Sequence, residues 1–452
     1  VTLDDELSAW VATDRRAATA KVVRERAKLL LLDAVASAYA GRGTPDVAAV
    51  ARLAATQFGP GTSPVIGGER LSPAGAALLN GFQTTAATVC DVHRPTLTHV
   101  TPEVVPAALA AAHQTGAPGA DLLTAVAIGC EVTVRVAAAL NSPAYRARGF
   151  HNPGIAGAVG AACAVARLLG LNQQGVRDAI AHAASQAGGT FAALGSSGVK
   201  VHQARGALSG LLAAGFAAAG IDGAARPLSN ERGGLLAAYA DGGVPEALTA
   251  QLGDRWTMDE ISLRRWPAAS SLQPVIAAVL QALEAAPAGT GLQLHAAEVA
   301  LPPRGYLLNG RAGWGSQLEA LQSARWIAAV VAADGECWVP QTAPARLADI
   351  ALGQFAAAAV TVVEDVSLQE GAARVRLVWP DGNTATREVG VSPGDPRAPL
   401  GWDDIVTKLN RALDATGSAG IGSGIAAAVA GIDDLPALAL LNLITVPHRE
   451  EP

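Results

Sequence analysis

Apolar residues recur at helical spacing through most of residues 1–263. In residues 22–40 the basic side chains come early, Leu29, Leu30, Leu31 and Leu32 supply the buried side, and Gly41 and Gly43 stop the helix. The same spacing predicts helices over 72–88, over 119–139 behind Gly119-Ala120-Asp121, over 173–187 behind an Asn172 cap, and over 206–219 ahead of Gly220. Two further helices open on proline. Thr101 and Asn152 suit the N-cap, and Pro102 and Pro153 suit the first helical position. Near Arg264 the pattern changes. Residues 292–301 alternate as a strand does, 316–333 return to helical spacing, and 359–366 are rich in Val and Thr. Residues 373–379 and 384–389 flank Pro380-Asp381-Gly382-Asn383, a hairpin turn. Helical spacing resumes over 402–416, and 425–429 and 435–443 read as short helices in the tail. The patterns predict a mainly α fold: a large all-helical domain from 1–263 and 400–452, and a smaller α+β domain from 264–399.

Composition explains how such helices pack. The 452 residues are 50% hydrophobic and only 16% charged, enough for a large core. Aromatics are 4%, so Ala, Leu and Val must fill that core, and small side chains let helix backbones approach. The net charge is −6 and no basic stripe is present, which argues against a nucleic-acid partner and leaves an anionic small molecule open. Cys90, Cys130, Cys163 and Cys337 are widely spaced in apolar surroundings, without a zinc pattern, and are expected to be buried thiols. Val1-Thr2-Leu3-Asp4-Asp5-Glu6 is unlike a signal peptide, and apolar runs are broken by Gly, Arg, Asp or His short of membrane-spanning length. The expectation is a cytoplasmic protein without membrane contact.

The candidate chemistry sits at the two proline-led helices. His99 and His151 each stand just upstream of one. A helix N-terminus attracts anions, and imidazole moves protons near neutral pH. Two such corners together would hold a carboxylate and shift a proton beside it. Either histidine alone could simply decorate a loop. Asp91, His93 and His99 also offer three possible metal ligands, but no helical HxxxH face accompanies them, so the site is expected to hold no metal.

An ordered series of short motifs runs through the chain. It begins with Leu32-Asp33-Ala34-Val35 and Ala40-Gly41, then Asn80-Gly81 with Asp91 and His99, then Pro106-Ala107-Ala108-Leu109-Ala110. It continues with Gly149-Phe150-His151 and Gly157, Leu168-Leu169-Gly170-Leu171, and Lys200 ahead of Ala204 and Gly210. Arg264-Arg265-Trp266-Pro267, Asp381-Gly382, Gly394-Asp395-Pro396 and Lys408-Leu409 close it. In order and spacing the series resembles the MmgE/PrpD family, which includes 2-methylcitrate dehydratases, cis-aconitate decarboxylases and iminodisuccinate epimerase. The resemblance implies a large helical domain plus a smaller α+β lid domain, a homodimer, and catalysis without a redox cofactor. It also implies a shared step, in which a bond beside a carboxylate breaks to leave an enolate-like carbanion.

By that resemblance His99 is the first choice for proton transfer, and His151 is a donor to a substrate carboxylate or a second acid/base. Lys200 would bind a carboxylate or stabilise the enolate; its alternative is a solvated surface lysine. Asp91 would orient an imidazole or cap the loop. His202 is expected to pack. Several positions depart from the family pattern. His93 replaces a small hydroxyl residue, as a substitute acid/base, a ligand contact or an idle loop residue. Arg264 stands for a lysine and can clamp an anion but not act as a base. Arg265 adds charge, Trp266 and Trp326 would line the pocket, and Gln273 falls where histidines are usual. With so few cations, a specialised carboxylic acid fits better than a tricarboxylate. The expected activity is that of a lyase, dehydration ahead of decarboxylation. An epimerase or isomerase using the same carbanion, and a catalytically lapsed ligand-binding relative, are the alternatives.

Overall fold

Small residues set the spacing of the helices. In the computed structural model, which describes residues 1–14, 20–284 and 294–445, the helical unit comprises Val1–Ala86, Cys90–Ile261 and Gly401–Pro452. Its main helices are α1 (Leu3–Thr13), α2 (Lys21–Arg42), α3 (Pro45–Phe58), α4 (Pro73–Ala86), α5 (Thr101–Thr115), α6 (Gly119–Leu140), α7 (Ala156–Leu168), α8 (Gln173–Ser185) and α9 (Gly198–Ala218). Helix α7 packs between α6 and α9, and α5 lies across α4, α7 and α9. Glycine permits these approaches: a Cβ on Gly129 of α6 would lie 2.9 Å from the Gly160 carbonyl of α7.

Helix α6 corrects one expectation. By length and composition Gly119–Leu140 could cross a membrane, with a mean hydropathy of 1.7 over its most apolar window. That window is 94% buried by the surrounding helices, which is the position of a core helix. Helix α9 also begins earlier than expected, at Gly198, so Gly206 lies inside it and Lys200 falls in its first turn.

The second unit comprises Ala87–Val89 and Ser262–Leu400. It holds α10 (Gln273–Glu284), α11 (Ala324–Asp334), α12 (Ile350–Ala358) and the strands β1 (Ala296–Leu301), β2 (Val360–Glu364), β3 (Ala373–Val378) and β4 (Thr384–Val389). The sheet order is β2-β1-β3-β4. Strands β1 and β2 are parallel, with Ala297 opposite Val360; the other pairs are antiparallel. The expected hairpin turn forms, closed by the Trp379 N–H on the Asn383 carbonyl at 2.9 Å. Of the predicted strand 292–301, residues 292 and 293 lie outside the described residues. The expected helix over 316–333 is two pieces, Gln317–Ala320 and α11, because Ser323 starts a new helix by accepting the Trp326 N–H.

Helices α13 (Trp402–Ala415), α14 (Gly422–Ala430) and α15 (Ala437–Leu443) belong to the helical unit. Lys408 of α13 reaches Asp33 of α2 at 2.6 Å, and both are buried. Removing one partner of such a pair strands a buried charge, at a cost of roughly 3–5 kcal/mol. All four cysteines are buried, and no disulfide occurs among the described residues.

Candidate active site

The loop between α4 and α5 brings His99 back beside Asp91. His93 donates its backbone N–H to Thr98 at 2.7 Å, and Thr98 returns one to His93 at 3.2 Å. Leu97 takes the left-handed backbone region, φ 53°, to close this turn. His99 Nδ1 then lies 2.6 Å from the Asp91 backbone oxygen. A carbonyl can only accept, so Nδ1 carries a proton and Nε2 is the ring nitrogen whose proton comes and goes. Cys90 Sγ lies 3.7 Å from the same Nδ1.

The Asp91 carboxylate occupies the N-terminus of α5. Oδ2 accepts the Val100 N–H at 2.9 Å, and Oδ1 accepts the Thr101 N–H at 3.0 Å and the Thr101 hydroxyl. Two expectations change. Thr101 is the first helical residue and gives its hydroxyl to Asp91 instead of capping. This helix end is also closed to a substrate anion, because the protein's own carboxylate fills it. Burial lifts the Asp91 carboxyl to about 6, with the Cys90 thiol adding to the rise and the Thr101 hydroxyl and His99 opposing it.

His93 is not placed as a proton-transfer group. It is buried, with Nδ1 2.7 Å from the Thr96 hydroxyl and Nε2 3.5 Å from Glu260. One ring nitrogen serves the loop that positions His99, and the other faces Glu260 outside it. Burial holds its pKa below the usual histidine range, and Glu260 works against that.

Asn152 joins the second corner to the first. Its side chain donates to the Thr96 carbonyl at 2.8 Å and accepts the Tyr145 hydroxyl at 2.6 Å. It therefore caps no helix: Asn152–Gly154 form a single 3-10 turn, and α7 starts at Ala156. This reduces the expected anion site at the His151 corner as well. His151 is fixed by its backbone N–H on the Gly189 carbonyl at 3.0 Å, and its ring meets Phe191 edge-on at 4.9 Å.

The two Nδ1 atoms of His151 and His202 are 2.8 Å apart, so one donates and the other accepts. Sequence reasoning assigned His202 to packing. Nothing local signals its partner, which lies in a different loop. Burial drives the His151 pKa down to about 2, and the positive charges of His99, His202 and Lys200 add to the effect. His151 is thus a neutral imidazole held beside His202. Lys200 is buried on the first turn of α9, which rules out the solvated alternative.

In the second unit Gln273 organises the turn after Arg264. Its Oε1 accepts the Arg265 and Trp266 N–H groups, each at 3.2 Å, and its Nε2 donates to the Trp266 and Ala268 carbonyls at 2.9 and 3.3 Å. With every amide atom used, Gln273 is a clamp and not a ligand contact. Arg264 is buried and donates to the Ala268 carbonyl at 3.3 Å. Arg265 is exposed, its guanidinium 5.6 Å from the Trp266 ring centre. Trp266 and Trp326 belong to the unit's hydrophobic core. Trp326 is fully buried, and its indole N–H is given to the Gln341 carbonyl at 3.0 Å, so it offers no N–H to a ligand. Among the described residues no group of three or more His, Cys, Asp or Glu side chains has a metal-binding arrangement.

Comparison with known proteins adds the lineage. Residues 5–247 match the MmgE/PrpD N-terminal domain, and residues 266–428 match the MmgE/PrpD C-terminal domain. The cis-aconitate decarboxylase-like protein oryM of Aspergillus oryzae is 31% identical over 274 residues, 57% of this chain and 57% of its own length. Cis-aconitate decarboxylase of Aspergillus terreus is 30% identical over 247 residues, 52% of this chain and 50% of its own. The human cis-aconitate decarboxylase is 27% identical over 339 residues, 70% of this chain and 68% of its own. The chain thus spans about half the length of the fungal relatives it matches.

Proposed function

The chain belongs to the MmgE/PrpD family, and from that premise we propose that it is a lyase that decarboxylates an unsaturated carboxylic acid, with His99 carrying the proton. The observation that carries this reading is the fixed Nδ1–H of His99 on the Asp91 carbonyl, which makes Nε2 the ring nitrogen that gains or gives a proton. The relatives matched here are named for decarboxylation, a lyase reaction.

Lys200 attracts the substrate carboxylates and stabilises negative charge developing beside them. The bond to one carboxylate carbon breaks, carbon dioxide leaves, and its electron pair spreads into an enolate-like anion. If His202 donates in the imidazole pair, His151 offers an Nε2–H to that anion without becoming charged. Protonated His99 then delivers its Nε2 proton to carbon and regains one from water. Each step is a carbon–carbon cleavage or a proton transfer, and none requires a redox cofactor.

The sequence motifs put dehydration first. Dehydration needs one group to take a proton from carbon and another to protonate the departing hydroxide. His151 is held neutral and Asp91 is engaged with three donors, which leaves His99 as the proton carrier. One proton carrier suffices for decarboxylation. The relatives are named for cis-aconitate, a tricarboxylate, which makes it the first substrate to set against the expectation of an acid with fewer carboxylates. Self-association as a homodimer is part of the proposal, supported by Val201, Leu212 and Phe216, apolar and exposed on α9.

Mass spectrometry of the protein with unsaturated and hydroxy acids in deuterium oxide, cis-aconitate first, tests the reading. Loss of carbon dioxide with one deuteron gained at carbon is expected. Loss of water alone would refute it in favour of a dehydratase. Deuterium without mass loss would indicate an epimerase, and thermal stabilisation without turnover a lapsed relative.

A further inference from the structure

Glu103 is a buried acid that the scheme above leaves unused. It lies in the first turn of α5, is 0% exposed, and neither carboxyl oxygen has a hydrogen-bond partner. Two helices are shaped around it. A Cβ on Gly157 of α7 would lie 2.6 Å from Glu103 Cγ, and one on Gly206 of α9 would lie 2.8 Å from it. The recess lies beneath the His151 corner. The same Gly206 position is 3.2 Å from the Pro153 carbonyl, and His202 stands one helical turn before Gly206. A leucine would fill such a recess without burying an unpaired polar group, so the acid costs stability.

The charged surroundings explain its state. The preceding loop contributes Asp91, the strongest charge acting on Glu103, and then Cys90. Helix α6 contributes Cys130, and α2 contributes Asp33, which acts on Asp91. Helix α7 faces it with Gly157 and carries Cys163 and Arg167 further along; α9 faces it with Gly206, with Lys200, His202 and Arg205 in the preceding turns. Helices α4 and α15 carry no titratable side chain. Asp91 has three donors and can hold a negative charge. Glu103 has no donor of hydrogen-bond geometry, and burial, reinforced by Asp91 and Cys90 and opposed only by its own backbone N–H, pushes its carboxyl well above the ordinary range.

We propose that Glu103 is a positioning residue of the site, a neutral carboxylic acid that limits the N-terminus of α5 to the single negative charge on Asp91 and so admits an anionic substrate beside Lys200. A second charge there would repel the substrate carboxylate. The inference rests on the carboxylate-substrate reading above.

Difference infrared spectroscopy of wild type against Glu103→Gln in deuterium oxide, near pH 7, should show a protonated-carboxyl carbonyl band that the variant lacks. Calorimetric Kd for tricarballylate, the saturated and unreactive analogue of cis-aconitate, should rise by about tenfold or more as that band fades at alkaline pH, the effect of one like charge close to the ligand. Glu103→Gln should lack this alkaline limb. A wild type without the band, or a limb retained in the variant, overturns the proposal. If the variant fails to fold, the wild type decides: the band must titrate with Kd, and a Kd indifferent to its loss overturns the proposal. The unreactive analogue reports binding without turnover, so a protein that binds it but does not decarboxylate cis-aconitate refutes the lyase reading alone. A protein that binds no tricarballylate at any pH overturns both.

Discussion

Replacing His99 by Asn separates the proton this residue carries from the position it holds. In the wild type Nδ1 donates to the Asp91 carbonyl at 2.6 Å. An Asn amide can keep that donation, since its nitrogen branches from the chain about where Nδ1 does. It has no counterpart of Nε2 and cannot carry a proton to carbon. General acid catalysis contributes typically 10²–10⁴-fold, so His99→Asn should lower turnover by at least ~100-fold, or about 2.7 kcal/mol of transition-state stabilisation. His99→Ala should lose the same rate and also the positional bond, so it should be less stable than His99→Asn by about 1 kcal/mol. Carbon dioxide release measured on purified protein gives the first quantity, and urea unfolding midpoints give the second. A folded His99→Asn that turns over at a near-normal rate would refute the argument, since it would assign His99 to position alone.

Three further outcomes follow from the same geometry. Lys200→Ala should cut turnover by at least ~100-fold, the scale of losing one charge-stabilising group, with the loss read in single-turnover rates; near-wild-type rates would remove Lys200 from the site. His202→Phe removes the partner of His151 Nδ1 and leaves a buried nitrogen unpaired, so stability should fall by about 1–3 kcal/mol in denaturant unfolding; an unchanged midpoint would show that the pair contributes nothing. The pH dependence of stability should reveal His151 directly. Its folded pKa of about 2 lies below the unfolded value, so the unfolded chain takes up the proton as pH falls below about 6.5. Stability is full above that pH and is lost on acidification, with a slope of up to about 1.4 kcal/mol per pH unit from this group. His151→Gln should remove that component, and an identical slope in the variant would contradict the buried neutral state.

Much of the architecture was legible in the pattern of apolar residues. Helices α2, α4, α6 and α8 start within one or two residues of where the spacing puts them, because amphipathic periodicity and end signals are local. The β3–β4 hairpin was equally plain from Asp381-Gly382. The same local logic misled at the helix starts. Thr101 and Asn152 have the side chains of caps, but Asp91 and Tyr145 claim them. Trp326 and Gln273 had the chemistry of pocket residues, and core burial and backbone bonding use it up.

Residue identity alone determined which chemistry was available: imidazoles at positions 99 and 151, an amine at 200, small residues where helices meet, and no aromatic-rich or basic surface. Only the tertiary structure decided which of those groups retain a reactive atom. Thr96 meets Asn152, and His151 meets His202, across separations of 56 and 51 residues. A hydrogen-bond partner and a desolvated environment come from whatever the fold packs nearby, and local spacing carries no information about either. The fold therefore fixes His99 Nδ1 on the Asp91 carbonyl, ties His93 to Thr96 and Glu260, holds His151 neutral, and buries Glu103 between glycines of two neighbouring helices.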